Sequence, residues 1–270
     1  GAQAQPAAPQ PVAAAPVPVS PQPVAQPSYA PPTPSTPTGA DDLGNAIKQI
    51  YGQAWTVLAP VVVTAVLAVA AVMVPIGLLG QLMLRILPLG IAGLLTTLLA
   101  LVQLAAMIML FPSLIRFLLG SYLGQPISIQ AAVQQQTARA ADVALNCFVP
   151  GIVLGVFAGP IYFVEGRKLG DVIGRNFNLL GKELVPIIVA IFAGGIVVGI
   201  GSAIVGYILG LLPFGWLLTS VFVNTLTSIM TAFGAALSVS LYFSVRRKHE
   251  GGDPEAEARE RLAQGALPAA

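Results

Sequence analysis

Apolar residues gather in four long runs along the chain, and polar residues are mostly confined to the stretches between them. The runs cover about 57–79, 89–111, 185–209 and 216–245. About 20 apolar residues, with a rise of 1.5 Å each, are enough to cross a hydrocarbon core of about 30 Å. The pattern therefore predicts an all-α integral membrane protein, a polytopic helical bundle whose membrane domain occupies 41–248.

A shorter apolar run at 143–164 has two interpretations. It contains Pro150-Gly151 and Gly159-Pro160, residue pairs that interrupt helices. The run forms either a re-entrant hairpin that enters and leaves on one side of the membrane, or a single kinked span. The first interpretation gives four crossings and the second gives five.

The distribution of lysine and arginine favours four crossings. With four crossings and a cytoplasmic C-terminus, 12 of the 13 bases lie inside and Arg85 alone lies outside. Five crossings bring Arg85 inside but move Lys48, Arg116 and Arg139 outside, which leaves 10 of 13 inside. Cytoplasmic loops carry an excess of basic residues, so the first arrangement fits better. Both arrangements place the C-terminus in the cytoplasm.

The segment LGDVIGRNFNLLGKEL at 169–184 precedes the third long run and has a helical stripe of apolar residues. Asp171, Arg175, Asn178 and Lys182 fall on the other side of the helical wheel, and Asn176 intrudes on the stripe. An amphipathic helix next to a span usually lies in the plane of the lipid headgroups. We therefore predict an interfacial helix here.

The same layout occurs near residue 43. The stretch LGNAIKQIYGQAWTVLAP at 43–60 is identical to LGDVIGRNFNLLGKELVP at 169–186 in five positions. In both places a surface helix, a span, a Leu-Pro turn and a second span follow in that order. We predict an internal repeat of 43–120 and 169–248, with both interfacial helices on the same side of the membrane.

The two ends of the chain differ from the membrane domain. Residues 1–40 hold 12 of the 23 prolines and no charged residue, which predicts a disordered tail with polyproline II character and a candidate binding segment for a protein partner. This tail lacks the basic region and apolar run of a signal peptide. Residues 249–270 predict a cytoplasmic charged tail with one short exposed helix, capped by Asp253, with Pro254 in its first turn and Gly265 as its stop.

Composition excludes several classes of function. The chain is 56% hydrophobic and 9% charged, whereas soluble domains have about 25% charged residues. A net charge of +2 gives no general attraction to nucleic acid. The single Cys147 and the single His249 form neither a disulfide framework nor a pair of metal ligands. We therefore predict no catalytic, cofactor-binding or metal site, and membrane lipids as partners.

Charged residues after the central run are candidates for contact with lipid headgroups, because bases beside a span attract anionic lipids. Glu165 either pairs with a headgroup through a neighbouring base or has a local partner in the chain, and the second alternative is favoured for an interfacial charge. The candidates are Glu165, Arg167, Lys168, Arg175 and Lys182.

Two polar residues and a set of small residues stand out within the spans. Gln103 and Asn224 either line a path for a solute or form interhelical hydrogen bonds, and the second alternative is favoured. Small residues at four-residue spacing let helix backbones approach closely, which predicts a tight hairpin between the last two spans. These small residues are Gly195, Gly199, Ala203, Gly206 and Gly210.

Three stretches resemble a known family, and one of them, GQPISIQAAVQQQTARAAD at 124–142, resembles its central amphipathic helix. GPIYFVEGRKLGDVIGRNFNLLGKELVPIIVAIF and the ending LYFSVRRKHEGGD resemble the membrane domain associated with bacterial glycerophosphodiester phosphodiesterases. The family usually has serine at the position of Asn176. The resemblance implies a multi-span module of about six spans, which extends the range to 4–6 transmembrane segments. It implies no hydrolase activity, since these stretches have no counterpart of the family's catalytic domain. It rests on Pro160, Glu165, Gly166, Arg175, Asn176, Leu180, Gly181, Lys182, Tyr242, Arg246, Glu250, Gly251 and Asp253.

Together these features predict a non-enzymatic multi-pass protein of the bacterial cytoplasmic membrane, which acts as a membrane scaffold or a lipid-associated module. The alternative is a small channel or facilitator for a neutral or lipid-like solute that uses Gln103 and Asn224. The sequence does not indicate the oligomeric state.

Overall fold

The computed structural model describes residues 40–152 and 155–263, and every regular element in them is helical. The predicted disordered tail, apart from Ala40, and the predicted stop at Gly265 lie outside the described residues. A 3₁₀ turn (Ala59–Val61) joins α1 to α2, and π-helical turns (Ala144–Phe148 and Ile161–Glu165) follow α5 and α7. The helices are α1 (Ala40–Leu58), α2 (Val62–Ile86), α3 (Leu89–Tyr122), α4 (Ile129–Thr137), α5 (Ala140–Val143), α6 (Val149–Ile152), α7 (Ala158–Pro160), α8 (Leu169–Lys182), α9 (Leu184–Gly210), α10 (Gly215–Glu250) and α11 (Pro254–Ala263).

Within the described part of the chain, four helical segments are long and apolar enough to cross a membrane. They are α1 with α2, α3, α9 and α10. They match the four predicted apolar runs, so the all-helical fold and the four long apolar helices are confirmed. α10 is the central helix, because it packs against α1, α2, α3 and α9. An apolar stretch of 18 residues within it is 67% buried. The other three segments, α1 with α2, α3 and α9, carry rows of exposed leucine, isoleucine and valine. Such surfaces are compatible with surrounding lipid.

Short turns that contain proline make neighbouring helices antiparallel. Leu87 is extended and Pro88 precedes α3, where proline's fixed φ and missing N–H are tolerated. Residues 211–214 form the corresponding turn between α9 and α10. The Arg85 guanidinium lies 5.1 Å from the ring centre of Trp216, a cation–π contact. The end of α2 therefore meets the start of α10.

The central apolar run is folded into short pieces rather than one helix. α5 and α6 lead into it, and α7 with its π-helical turn leads out. Tyr162 near the exit donates a hydrogen bond to Asp142 at the entry, so the two ends of this segment meet. None of its described helices is long enough to cross a membrane. This geometry agrees with the re-entrant alternative.

α8 has the predicted amphipathic character, and the structure explains its intruding polar residue. Val172, Leu179 and Leu180 are buried on its apolar side. Asn176 is buried with them, and its Oδ1 accepts a hydrogen bond at 3.0 Å from the N–H of Phe157 in the central segment. A buried backbone donor needs a partner, so this asparagine belongs to the contact between α8 and the central segment.

α1 packs differently from α8 although their sequences correspond. The Tyr51 hydroxyl of α1 donates to the carbonyl of Ala190 in α9, and its ring lies 5.7 Å from that of Phe233 in α10. α8 instead contacts mainly the central segment and part of α10. The order of elements in 43–120 and 169–248 is the same but their packing differs, so the internal repeat stays a prediction.

The prediction of an exposed helix in the C-terminal tail is wrong about exposure. Asp253 caps α11 as expected. However, Ala258 and Leu262 are buried, because residues four apart form one helix face that packs on the bundle. Arg259 donates to the carbonyl of Leu123 at the end of α3 at 3.2 Å. α11 is therefore a docked part of the fold.

Candidate functional site

The Glu165 carboxylate has its partners within the chain. It lies at the end of a π-helical turn, where Gly166 adopts the left-handed conformation before α8. It accepts hydrogen bonds from Arg167 Nε at 2.6 Å and from Arg175 Nε at 3.0 Å. Tyr242 of α10 donates to it at 3.1 Å. The side chain is only 7% exposed, so the structure places local partners around this charge.

A second carboxylate, Glu250 at the end of α10, also pairs with Arg175. Nη1 and Nη2 of Arg175 each lie 2.6 Å from a Glu250 oxygen, a bidentate geometry that fixes both side chains. Lys182 and Arg246 donate to the same carboxylate, each at 3.1 Å. Burial works to lower the pKa of Arg175, but the hydrogen bonds to Glu250 and Glu165 outweigh it and raise that pKa.

We call this group the ionic cluster; its members are Glu165, Arg175, Lys182, Tyr242, Arg246 and Glu250. Arg246 also donates to Tyr242 at 2.9 Å and to Glu257 of α11 at 3.0 Å. Arg261 of α11 donates to the backbone carbonyl of Glu165 at 2.8 Å. The ionic cluster thus joins the central segment, α8, α10 and α11.

A separate pairing lies at the junction of α8 and α9. Glu183 accepts a hydrogen bond from Lys248 at 2.5 Å and lies 2.9 Å from the Nε2 atom of His249. Burial works to raise the pKa of Glu183, but these two contacts outweigh it and lower that pKa. The single histidine of the chain is therefore engaged away from the ionic cluster.

The geometry of the ionic cluster is typical of a structural clamp. Each of its carboxylates is held by at least two bases, and the hydrogen bond from Arg175 lowers the pKa of Glu250 to about 2. A general acid or base instead needs a pKa near the working pH. Within the described residues, no group of three His, Cys, Asp or Glu side chains could hold a metal ion.

Arg167 and Lys168 are the two candidate bases that reach the surface. The Arg167 side chain is 44% exposed, and Lys168 is exposed at the start of α8. Arg175 and Lys182 are held by Glu250. Of the predicted lipid contacts, Arg167 and Lys168 therefore have the best access to a headgroup.

The two polar residues within the spans both lie against α2. Gln103 Nε2 is 3.2 Å from the sulfur of Met73. Asn224 donates to the carbonyl of Ser220, and its amide abuts Gly77, one turn along α2 from Met73. The Gln103 contact joins α3 to α2, as expected of an interhelical hydrogen bond. The hydrogen bond of Asn224 stays within α10, and only its packing against Gly77 reaches α2. Neither side chain lines the cavity described below.

The small residues of α9 mostly make no close contact with α10. Gly195, Gly199 and Gly210 have no atom within 4 Å of the position that a Cβ would take, and Ala203 is exposed. At Gly206 a Cβ would lie 3.6 Å from Thr219 of α10. Of these five small residues, only Gly206 lies close to α10.

Sequence reasoning missed several buried or half-buried polar side chains. Asp142 accepts hydrogen bonds from Tyr162 and Asn146. The side chains of Arg116 and Gln136 are buried, and two nitrogens of Arg116 and both polar atoms of Gln136 have no hydrogen-bond partner among the described residues. The available signal for Arg116 was its position between apolar residues on both sides.

Comparison of the chain with protein-family models, curated proteins and solved structures gives no match. The resemblance to the membrane domain associated with glycerophosphodiester phosphodiesterases therefore stays a prediction. All six members of the ionic cluster belong to two of the three stretches on which the resemblance rests.

Cys147 is expected to react slowly with thiol reagents while the protein is folded. Its side chain is buried. Burial is the main cause that raises the pKa of its thiol, and the nearby charge of Asp142 raises it further. The thiolate is the reactive form, so labelling by N-ethylmaleimide at pH 7.5 should be at least about tenfold slower than in the unfolded chain. Mass spectrometry of the purified protein, before and after denaturation, measures both rates. Equal rates would contradict the buried position.

Proposed function

We propose that this chain is a multi-pass protein of a bacterial cytoplasmic membrane and acts as a non-enzymatic scaffold or lipid-associated module. The division of its surface supports this proposal. Large apolar side chains are exposed along α2, α3 and α9, while ion pairs gather around the end of α10. Soluble monomers rarely expose apolar patches larger than a few hundred Å², whereas a bilayer covers such a surface with hydrocarbon.

The orientation is proposed from the position of the bases. The ionic cluster lies at the C-terminal end of α10, and Arg85 lies beside Trp216 at its N-terminal end. Basic residues are enriched on the cytoplasmic side. We therefore place the ionic cluster and the C-terminus in the cytoplasm, from which the proline-rich segment at 1–40 would reach a protein partner.

Single-cysteine accessibility in a Cys147→Ser background tests this arrangement. The reporters are Leu43→Cys, Arg85→Cys, Arg139→Cys and Gly170→Cys. An impermeant maleimide added to intact cells is expected to label Arg85→Cys only. The other three are expected to react once the membrane is permeabilised.

Other labelling or extraction results would contradict particular parts of this arrangement. Labelling of Arg139→Cys from outside would establish five crossings, and labelling of Leu43→Cys but not Gly170→Cys would place the two amphipathic helices on opposite sides. Recovery of the chain in the soluble fraction after alkaline carbonate extraction would refute the membrane assignment. Flux of glycerol through proteoliposomes that contain the chain would favour the channel alternative.

A further inference from the structure

An apolar cavity of about 590 Å³ lies along one side of α10. Residues from three long helices line it: 107–115 of α3, 190–195 of α9 and 230–238 of α10. Tyr51 of α1 and four residues of the central segment contribute the rest of the described lining; these four are Cys147, Gly155, Val156 and Gly159. The part of α10 that it follows is nine residues long, about 12 Å from the first residue to the last at the helical rise.

The cavity exists because two helices pack on α10 without packing on each other. α3 and α9 each contact α10 but share almost no direct contact within the described residues. Glycines contribute to the open space because they have no side chain to fill it. The position that a Cβ would take at Gly195 or Gly234 has no atom within 4 Å. Protein interiors contain few voids larger than a water molecule, so this space is expected to hold an occupant. Its volume lies within the roughly 300–1,000 Å³ of ligand pockets.

The lining identifies the chemistry of the occupant as hydrocarbon. The Tyr51 hydroxyl already donates to the Ala190 carbonyl, and the Ser238 hydroxyl donates to the Val156 carbonyl. Apart from these two and Cys147, the described lining consists of apolar side chains and glycine. Its methionines and aromatic rings can adapt to an irregular apolar chain. A sugar, an amide or an ion would lose its hydration here without gaining hydrogen-bond donors.

We propose that this cavity binds one acyl chain, supplied by a membrane phospholipid or by a free fatty acid. The inference rests on the proposed function, because a protein embedded in the bilayer is surrounded by the acyl chains of its lipids. Ser238 of the cavity lies one helical turn before Tyr242 of the ionic cluster. The polar end of a bound amphiphile would therefore lie towards the charged end of the bundle, where Arg167 and Lys168 are exposed.

Cavity-filling substitutions test the proposal on the full chain. Gly234→Leu and Gly195→Leu put a side chain into the open space, whereas Gly199→Leu makes the same change on α9 at an exposed position outside the cavity lining. Two photoreactive probes are incorporated into membranes in separate arms: palmitic acid and phosphatidylglycerol, each with a diazirine near the end of the acyl tail. Cross-linked residues are mapped by mass spectrometry.

Cross-linking of the unmodified chain is expected at 107–115 and 230–238, and it should fall at least fivefold in Gly234→Leu and Gly195→Leu but not in Gly199→Leu. Capture of the fatty acid alone identifies a free fatty acid as the source, and capture of the phospholipid identifies a membrane lipid. Equal cross-linking in Gly234→Leu and Gly199→Leu would overturn the proposal.

Separate measurements test the proposed function and the acyl-chain site. Carbonate extraction of every variant reports membrane insertion independently of the probes. A chain that stays in the membrane but shows no cavity-dependent cross-linking contradicts the acyl-chain site alone. Gly195 is exposed at the edge of the cavity, so Gly195→Leu carries the test if Gly234→Leu does not fold.

Discussion

Glu250→Ala is expected to lower the free energy of unfolding by about 2–3 kcal/mol, which lies between the value of about 1 for exposed ion pairs and that of about 3–5 for a broken buried pair. The Glu250 carboxylate accepts hydrogen bonds from Arg175, Lys182 and Arg246. The side chains of Arg175 and Arg246 are only 16% and 14% exposed. Removal of the shared carboxylate leaves these two guanidinium groups close together with only Glu165 and Glu257 as counter-charges. It also removes the direct ion pair between α8 and the end of α10.

The matched control for this prediction is Arg167→Ala. Arg167 also belongs to an ion pair with Glu165, but its side chain is 44% exposed, so the change should be within about 1 kcal/mol. Thermal unfolding in detergent, followed by circular dichroism, compares the two variants with the parent chain. Identical unfolding midpoints for Glu250→Ala and Arg167→Ala would show that the ionic cluster does not hold the bundle together.

The long helices could be predicted because lipid imposes a simple requirement on them. Every backbone polar group in the hydrocarbon needs an internal partner, so a run of about 20 apolar residues has essentially one stable conformation in a membrane. In α9, Ile196, Val197 and Ile200 are all exposed. A soluble helix would need a polar face there, and its absence is visible from the sequence alone.

The ionic cluster could be predicted only in part. The amphipathic pattern of α8 placed Arg175 and Lys182 on a polar face, and the helix forms as expected. Their shared partner Glu250 lies 75 and 68 residues further along the chain. No local spacing encodes that distance, because it depends on how α8 folds back against the end of α10.

The cavity could not be predicted from hydrophobic patterning. Its glycines were visible, and their spacing on α9 predicted close packing against α10. A glycine is compatible with either a close contact or an open space, and the choice depends on the neighbouring helix. Here α3 and α9 remain apart within the described residues, so Gly195 and Gly234 face open space.

Gly215→Ala is expected to destabilise the hairpin of α9 and α10 by about 3 kcal/mol, at the upper end of the range for overpacked sites. Gly215 is buried at the start of α10, and its N–H donates to the carbonyl of Leu212 at 2.8 Å. A Cβ here would run into the carbonyl oxygen of Leu209 and the backbone of Gly210. These are backbone atoms held by helical hydrogen bonds, so they cannot turn aside as a flexible side chain would.

Two neighbouring substitutions separate this clash from a general effect on the turn. Gly210→Ala places a Cβ where nothing lies within 4 Å, so it should leave stability unchanged or slightly higher. Phe214 has a φ of 58°, a left-handed conformation that favours glycine, so Phe214→Gly should be tolerated. SDS titration of the three purified variants ranks their stabilities. A Gly215→Ala protein as resistant as Gly210→Ala would mean that α9 and α10 meet through a wider turn than the one described.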